Sequence, residues 1–560
     1  RQISEMYEIV TFGDIEKKLK HMSESQIRVT YSHRVIIMDE IHNLFEKNIE
    51  KESKSVESKS VKGKKENVIY RDYKSLKDVY SRILKLVDSV VNVKIVLLTG
   101  TPMWNDDSDI ATIMNILLPS DKRLPTGEEF KNRLYENGSL TENGIAILKD
   151  AFLGKISFIR AMDYKVTKIY PESDIDIPDQ WILKPFITVM SPEQENCVLE
   201  AQADRDSFYS RSIDANIICD LDIDLRDVAY IAEPKTDKER ERVSNLLKMS
   251  VKMYRMIEEI YKHPKDVVYI NNSNVTTFGG IRTIATILKN SGFIELERVS
   301  ERDVVSNGIG VGFITISSHE SSITSVQQRI DALKVVGSKE NIHGRYCRIV
   351  IGSDVTSEGI TISNVRQIHI LTPQFVPAKM DQIRGRVLRN STHVHFIKPE
   401  DRYLRIYNHC SVFPNSISED GTLQSIADTG NATNDAVSTG SIVSVSTDTL
   451  LFNLMNSKEL RFSPIHRLLK ESAIDLYLAH DRNVLPDDQD YSKECDYMEK
   501  MDLSKQLNRL YTESVNFANY YTFYTDTVID EVVADIRELF KINSTYHIDA
   551  LLDILTKVPE

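Results

Sequence analysis

Two carboxylates directly follow an apolar run near the start of the chain. The run from Arg34 to Met38 is typical of a buried strand, and Asp39 and Glu40 come next. In an open α/β sheet, the carboxyl ends of parallel strands border the ligand crevice. There Asp39 would hold Mg²⁺, and Glu40 would orient and deprotonate an attacking water. The alternative is an ordinary helix start, where the helix dipole favours acidic side chains.

A second apolar run ends in a corner of hydroxyl side chains. Lys94 to Leu98 is followed by Thr99, Gly100, Thr101 and Pro102. Glycine permits a sharp turn at the strand end, and proline suits the first turn of a helix. We expect the two threonine hydroxyls to hydrogen-bond the acidic pair and sense its occupancy. A simple capped turn is the alternative.

Two arginines lie three residues apart in the segment from Gln382 to Arg389. On a helix, Arg386 and Arg389 would share one face. Planar guanidinium groups bind phosphate oxygens bidentately and can stabilise charge on a transferring γ-phosphoryl group. The segment therefore predicts a phosphate-binding site, and a solvated basic face is the alternative.

A strand and polar turn lie between these segments and close on Gly359. The glycine would allow the backbone to approach a nucleotide or strand phosphate closely. Ser353 and Glu358 in the same turn would orient the neighbouring arginines. Such corners occur throughout α/β proteins, so this turn is a weak signal by itself.

Short apolar runs separated by helical periodicity predict the elements that position these residues. The six clearest runs are Arg34–Met38, Lys94–Leu98, Asp266–Ile270, Gly312–Ile316, Arg348–Ile351 and Gln367–Leu371. Continuous apolar runs are typical of parallel strands buried on both faces. Because the runs fall into two groups, the sequence predicts an α/β protein with two doubly wound parallel sheets.

The predicted domains follow from composition along the 560 residues. They are a first sheet domain at 1–165, a linker with helices at 166–245, a second sheet domain at 246–412, a polar linker at 413–449 and a helical C-terminal extension at 450–560. Residues 46–66 alternate Lys, Glu and Ser with hardly an apolar side chain. Such a segment buries too little surface to offset its ordering entropy, which predicts a mobile surface loop.

Composition narrows the class of protein. A formal net charge of −13 argues against coating of nucleic acid by bulk attraction, although a local basic cleft is compatible with it. No apolar run is long enough for a membrane span, which predicts a soluble intracellular protein without a membrane partner. The five cysteines are scattered, so we expect buried thiols rather than a disulfide framework or a zinc site.

The order of the motifs resembles that of the superfamily 2 helicase and translocase ATPases, which are DEAD/DEAH-like. The nearest likeness is to poxvirus-type viral ATPases, namely nucleoside triphosphatase I and the small subunit of the early transcription factor. Three segments support that closer likeness: Thr99 to Pro102, Glu358 to Ile370, and Gln382 to Arg389 with the following Ser391-Thr-His393.

The resemblance implies two RecA-like lobes that hold ATP and Mg²⁺ between them, with a helical C-terminal extension. The residues it places at the nucleotide are Asp39, Glu40, Gln382, Arg386 and Arg389, with Arg389 as the arginine finger. His42, Thr99 and Thr101 would couple hydrolysis to closure of the lobes. Thr315, Ser317, Ser353 and Thr356 would face the nucleic-acid backbone.

One departure from the family concerns the phosphate-binding loop. A Gly-Lys-Ser/Thr motif neutralises the β and γ phosphates in such ATPases, and this sequence contains none. The family places that loop before the carboxylate pair, so we expect the first domain to be N-terminally truncated and the loop to precede Arg1. We therefore expect the chain to be inactive alone.

The predicted function is a nucleic-acid-dependent ATPase acting in viral transcription, in the virion or the host cytoplasm. DNA is favoured over RNA as the nucleic acid, and RNA polymerase or a larger transcription-factor subunit is the expected protein partner. Two alternatives stay open: a transcription-factor subunit that uses the fold mainly to engage partners and promoters, and an ATPase-deficient fragment.

Overall fold

The structure is a computed structural model that describes most of the chain. The described residues are 7–44, 70–160, 166–173, 175–178, 181–203, 210–299, 310–317, 325–353, 360–389, 391–418, 421–423, 445–502, 526–542, 545–548 and 551. The predicted surface loop at 46–66, most of the polar stretch at 413–449, Thr356 and Gly359 lie outside them. In the described part of the chain, no helix is both long and apolar enough to cross a membrane.

All six apolar runs that predict strands are strands. The strands are β1 Val35–Met38, β2 Lys94–Leu97, β3 Tyr135–Glu136, β4 Ser139–Leu140, β5 Thr167–Ile169, β6 Phe186–Val189, β7 Val267–Asn271, β8 Ile294–Glu295, β9 Gly312–Ile316, β10 Ile349–Gly352, β11 Val365–Ile370 and β12 Tyr403–Val412. The α-helices of the described residues are α1 Phe12–Lys20, α2 Glu24–Tyr31, α3 Tyr70–Ser89, α4 Asp109–Leu117, α5 Glu128–Leu134, α6 Glu142–Phe152, α7 Pro192–Ala203, α8 Ser210–Ile217, α9 Asp237–Met249, α10 Val251–Lys262, α11 Ile281–Asn290, α12 Val326–Val336, α13 Pro377–Gly385, α14 Thr447–Glu471, α15 His480–Asn483 and α16 Asp526–Ile542.

The second lobe is built on strands β5 to β12. These form an eight-stranded sheet in which every pairing is parallel. Its strand order is β5-β12-β11-β7-β10-β9-β8, and β6 also pairs with β12. Successive side chains of β7 pack on opposite faces: Val267 and Tyr269 join one core cluster, and Val268 and Ile270 join another. Helices cover both faces, so the predicted α/β class with a doubly wound parallel sheet is confirmed.

The first lobe contains a parallel pair of strands, β1 and β2, with Val35 beside Lys94 and Met38 beside Leu97. One face packs on α3 and α4 through Met38 and its neighbours. On the other face Val35 and Ile37 are exposed within the described part of the chain. Because the two strands are parallel, their carboxyl ends meet at one edge, which places the acidic pair and the threonine corner side by side.

The region predicted as a linker, 166–245, forms part of the second lobe. β5 pairs with Tyr403–Arg405, and β6 pairs with His409–Val412 of the same long strand. These strands have three and four residues, too few for hydrophobic periodicity to separate them from a loop. The second lobe therefore begins before the boundary that composition predicts.

The region predicted as a C-terminal extension, 450–560, also divides differently. Residues 1–500 form one compact unit, which includes α14, and residues 501–560 form a second. α14 begins at Thr447 and buries side chains along its whole length, so it belongs with the lobes. In the second unit, α16 is followed by Tyr546, whose hydroxyl donates to the Leu539 carbonyl.

The prediction that the cysteines are all free thiols is wrong for one pair. Cys197 on α7 and Cys219 after α8 are linked by a disulfide, with 6.3 Å between their Cα atoms. The two helices pack side by side, which brings together thiols that are far apart in the sequence. Cys347, Cys410 and Cys495 are buried free thiols, as expected.

A buried ion pair fixes the start of α14 to the second lobe. Lys252 is fully buried and lies 2.5 Å from the carboxylate of Asp448. The Lys252 ammonium also donates to the Leu371 carbonyl just after β11, at 2.9 Å. Asp448 accepts a second hydrogen bond, from the Ser411 amide. Each charge therefore has a charged and a neutral partner, as burial requires.

We predict that Asp448→Ala lowers the free energy of unfolding by about 3–5 kcal/mol, because it leaves the Lys252 ammonium buried without its counter-charge. Chemical denaturation of the purified chain measures this. Asp331→Ala, which breaks the exposed Asp331–Lys334 pair, is the control and should cost less than about 1 kcal/mol. Equal losses in the two variants would contradict the assigned role of the buried pair.

Candidate active site

The acidic pair lies in a turn at the carboxyl end of β1. Glu40 has a φ of 50°, which is uncommon for a residue other than glycine, and its amide donates to the Asp39 carboxylate at 3.0 Å. Both side chains are exposed. Carboxylate oxygens open to solvent suit Mg²⁺, which keeps several water ligands. No group of three or more possible metal-ligating side chains occurs among the described residues, so a metal here would rest on this pair.

His42 joins the two lobes. Its Nδ1 lies 2.9 Å from Thr99 Oγ1 and 3.3 Å from Glu40 Oε2, and its Nε2 lies 3.2 Å from the Gln382 side-chain nitrogen. The amide can only donate to Nε2, which assigns the ring proton to Nδ1, where Thr99 and Glu40 can accept it. The ring is almost fully buried. One imidazole thus connects the acidic pair, the threonine corner and the arginine segment.

The threonine corner contacts the acidic pair through that imidazole. Thr99 Oγ1 faces His42 and also accepts the Thr101 amide at 3.0 Å, which fixes the turn. The Thr101 hydroxyl is buried and has no hydrogen-bond partner among the described residues. Of the two predicted relays, the structure brings Thr99 to the site directly and gives Thr101 a backbone role.

Trp104 fills the space between the lobes. Its ring stacks on His42 with 5.4 Å between centroids and 5° between planes. The indole is 3% exposed and packs against Val376 and Ala378 at the start of α13. Because α13 contains Gln382, Trp104 positions both partners of the contact between the lobes.

The loop after Trp104 is fixed by a carboxylate and then contacted by α14. Asp109 Oδ2 accepts the amides of Trp104, Asn105 and Asp106 at 2.8–3.1 Å. The Lys458 ammonium donates to Asn105 Oδ1 at 2.6 Å and to the Phe375 carbonyl at 2.9 Å. Burial, with Arg461 nearby, lowers the pKa of Lys458 to about 8. Lys458 therefore bonds one group from each lobe.

The predicted shared helix face of Arg386 and Arg389 is wrong, because α13 ends at Gly385. The Arg386 carbonyl accepts the Ile362 amide from a neighbouring segment, and this tertiary bond replaces a further helical turn. The Arg386 side chain is buried and lies 3.4 Å from the Ile360 carbonyl.

Arg389 is the exposed arginine of this segment. Its guanidinium donates to Thr361 Oγ1 at 2.7 Å and to the Gly385 carbonyl at 3.1 Å. The two arginines therefore meet the adjacent residues of one strip, 360–361, although they do not share a helix. That strip begins directly after Gly359, which lies outside the described residues.

The residues predicted to face nucleic acid lie together at neighbouring strand ends. Ile316 pairs with Gly352, so Ser317 and Ser353 follow adjacent positions of β9 and β10. Thr315, Ser317 and Ser353 are buried in this arrangement, and Thr315 Oγ1 donates to Glu295 at 3.4 Å. Their contact with a nucleic-acid backbone stays a prediction.

Two residues of this site are absent from the sequence prediction. Trp104 is one of two tryptophans in the chain and lies two residues after the threonine corner. Its residue type and position could therefore have indicated that it belongs to the site. Lys458 gave no such signal. It lies far from the other site residues in sequence, and only the packing of α14 brings it to them.

Comparison with known proteins supports the predicted resemblance of the second lobe to helicases. A family model described as "Helicase conserved C-terminal domain" matches residues 300–391. That range includes β9 to β11, α12 and α13, and thus Gln382, Arg386 and Arg389.

Three viral proteins are similar over longer stretches. "Putative helicase 009L" of Frog virus 3 is 24% identical over 89% of this chain and 45% of its own length. "Putative ATP-dependent RNA helicase R563" of Acanthamoeba polyphaga mimivirus is 22% identical over 87% of this chain and 74% of its own length. "Early transcription factor 70 kDa subunit" of Variola virus is 22% identical over 67% of this chain and 54% of its own length. The chain spans about half the length of the first curated relatives it matches.

The chain contains a match to a helicase C-terminal domain and is similar to viral proteins named as putative helicases. The helicase domain match and the viral relatives, one of them a poxvirus early transcription factor subunit, confirm the predicted resemblance. Among solved structures, the C-terminal part of the Fun30 ATPase domain aligns with 63% of this chain at 14% identity and a TM-score of 0.21. The fold given above rests on the strand order alone.

We predict that Trp104→Ala lowers the free energy of unfolding by about 3–5 kcal/mol, because it leaves a cavity between His42 and the start of α13. Hydrogen exchange at the amides of α13 should accelerate with it. Trp104→Phe, which keeps an aromatic ring, is the matched variant and should keep most of the protection. Unchanged exchange of α13 in Trp104→Ala would refute the positioning role of the indole.

Proposed function

We propose that this chain forms the two-lobed core of a nucleic-acid-dependent ATPase that acts in transcription in virus-infected cells, in the virion or the host cytoplasm. The observation that supports it is the contact between His42 and Gln382 across the lobes, at 3.2 Å. It joins the segment that contains the acidic pair to the segment that contains the arginines. ATP hydrolysis by superfamily 2 proteins needs both sets of groups at one nucleotide.

Each residue of the acidic pair has a proposed role. Mg²⁺ would neutralise charge on the ATP phosphates, and Asp39 and Glu40 would hold it through oxygen ligands. Glu40 would orient the attacking water and accept its proton. His42 Nδ1 lies 3.3 Å from the Glu40 carboxylate, so the imidazole fixes the direction in which Glu40 points.

The arginine segment would complete the site from the other lobe. Arg389 is exposed, so its guanidinium is free to reach a γ-phosphate once it leaves the Thr361 hydroxyl. Arg386 would bind a phosphate oxygen only after releasing the Ile360 carbonyl. Gln382 would bind nucleotide at the same point where it now contacts His42. Loss of the γ-phosphate would then weaken the contact between lobes and permit one step along a strand.

The nucleic acid would lie against the ends of β9 and β10, with DNA favoured over RNA. Ser317 and Ser353 follow these strands at adjacent positions, and their buried hydroxyls would bind phosphate only after becoming exposed. Contacts to phosphate and sugar suit a motor that moves along a strand regardless of base identity. Binding should therefore weaken steeply as salt rises.

A second candidate function is that of a transcription-factor subunit, in which the fold mainly binds partners such as RNA polymerase or a larger subunit. The similarity to the Variola virus early transcription factor subunit over 67% of this chain favours it. Copurification with a large partner that alone confers promoter binding would support this function. ATP turnover that needs only nucleic acid and no protein partner would support the first function, that of a nucleic-acid-dependent ATPase.

We predict that the purified 560-residue chain does not turn over ATP, because its sequence contains no Gly-Lys-Ser/Thr motif to bind the β and γ phosphates. In a form of the protein that carries such a motif, Arg389→Ala and Glu40→Gln should each lower kcat at least about 100-fold. Nucleic-acid binding should stay within a few-fold, since the roles proposed for both side chains are at the nucleotide. Steady-state hydrolysis and fluorescence anisotropy measure the two effects.

Arg240→Ala is the matched control, because Arg240 is an exposed arginine on α9 whose partner is Asp237 on the same helix. It should leave both readouts unchanged. Glu40-dependent hydrolysis of ATP by the 560-residue chain would refute the prediction that this chain does not turn over ATP. Equal loss of hydrolysis and nucleic-acid binding in Arg389→Ala would refute the role of Arg389 as a finger.

A further inference from the structure

α14 belongs to the cores of both lobes. Near its start, Leu451, Phe452 and Met455 pack into the two clusters that flank the eight-stranded sheet. Phe452 also stacks on Trp181 with 5.4 Å between ring centroids. This half of the helix is therefore a fixed part of the second lobe, to which the buried Lys252–Asp448 pair also holds it.

The other half of α14 is part of the first lobe. Phe462, Ile465 and Leu468 are buried in a cluster with helices α4, α5 and α6. The helix has 25 residues, which corresponds to roughly 37 Å at 1.5 Å per residue. Pro464 lies inside its second half and removes one backbone hydrogen bond there. One helix thus contributes core side chains to both lobes.

Lys458 lies on α14 between these two halves. Its ammonium donates to Asn105 of the first lobe and to the Phe375 carbonyl of the second. Asn105 adjoins Trp104, which stacks on His42, and Phe375 adjoins Val376, which packs on Trp104. Lys458 is therefore two contacts away from the imidazole that joins the acidic pair to Gln382.

We propose that α14 is a brace that sets the angle between the lobes, and that Lys458 is a positioning residue that holds the Trp104 loop against α13. The effect of Lys458 on ATP turnover rests on the proposed function, whereas its effect on the angle between the lobes does not. Loss of the ammonium leaves Asn105 Oδ1 and the Phe375 carbonyl without this donor. Opening of the lobes at this point would then separate His42 from Gln382.

The test measures the distance between the lobes in the 560-residue chain. Spin labels at Ser139→Cys in the first lobe and Lys334→Cys in the second report it by pulsed electron resonance, since both positions are exposed. Lys458→Met keeps the length of the side chain and removes its donors. We expect its distance distribution to be at least about twice as wide as that of the parent chain.

Two further variants make the result specific. Lys470→Met changes a lysine on the same helix whose ammonium bonds Asp496 rather than the Trp104 loop or the Phe375 carbonyl, and it should leave the distribution unchanged. Lys458→Arg retains donors for both acceptors and should restore the narrow distribution. Circular dichroism shows whether each variant is folded at the measuring temperature.

An unchanged distribution in folded Lys458→Met, or equal broadening in Lys470→Met, would overturn the proposal. In a form of the protein that carries a phosphate-binding loop, we expect Lys458→Met to lower kcat about tenfold with little change in KM for ATP. If Glu40→Gln leaves turnover intact while Lys458→Met still broadens the distance, the proposed function fails and the brace stands. The reverse result would retain the function and reject the brace.

Discussion

The buried imidazole of His42 is the contact on which the candidate site depends. It is the point where a side chain of the first lobe reaches Glu40, Thr99 and, across the gap, Gln382. Because its Nε2 accepts from the Gln382 amide, its proton must face the acidic pair. Any change in the distance between the lobes therefore alters the hydrogen bonding of the acidic pair at the carboxyl end of β1.

Parallel strand pairing explains why so few residues can build this site. β1 and β2 end at one edge, which brings Glu40 and Thr99 within reach of the same imidazole. β9 and β10 do the same for Ser317 and Ser353 in the second lobe. The sheets thus fix each half of the site, and what remains to be set is the angle between the halves. Trp104 and α14 fill that role through packing.

Sequence reasoning succeeded where one element suffices and failed where distant segments meet. Arg34 to Met38 is apolar enough to predict a strand, although one face of that strand is exposed, and the carboxylates after it are then placed by sheet geometry. By contrast, the end of α13 at Gly385 depends on the Ile362 amide, which captures the Arg386 carbonyl. Helical spacing alone cannot include such a tertiary bond, so the prediction that the two arginines share one helix face was wrong.

The same limit applies to elements whose signal is short or remote. β5 has three residues and is stabilised by β12, more than two hundred residues later in the chain, so local pattern shows neither the strand nor the lobe to which it belongs. The disulfide between Cys197 and Cys219 depends on the packing of α7 on α8. Lys458 becomes a site residue only because α14 spans both lobes.

The most direct test is an experimental structure, with Mg²⁺ and a non-hydrolysable ATP analogue, of a form of the protein that carries a phosphate-binding loop. The account predicts one nucleotide between the lobes, with Asp39 and Glu40 at its metal and the Arg389 guanidinium at its γ-phosphate. A nucleotide bound elsewhere, or Arg389 and Glu40 on surfaces that cannot face each other, would contradict it.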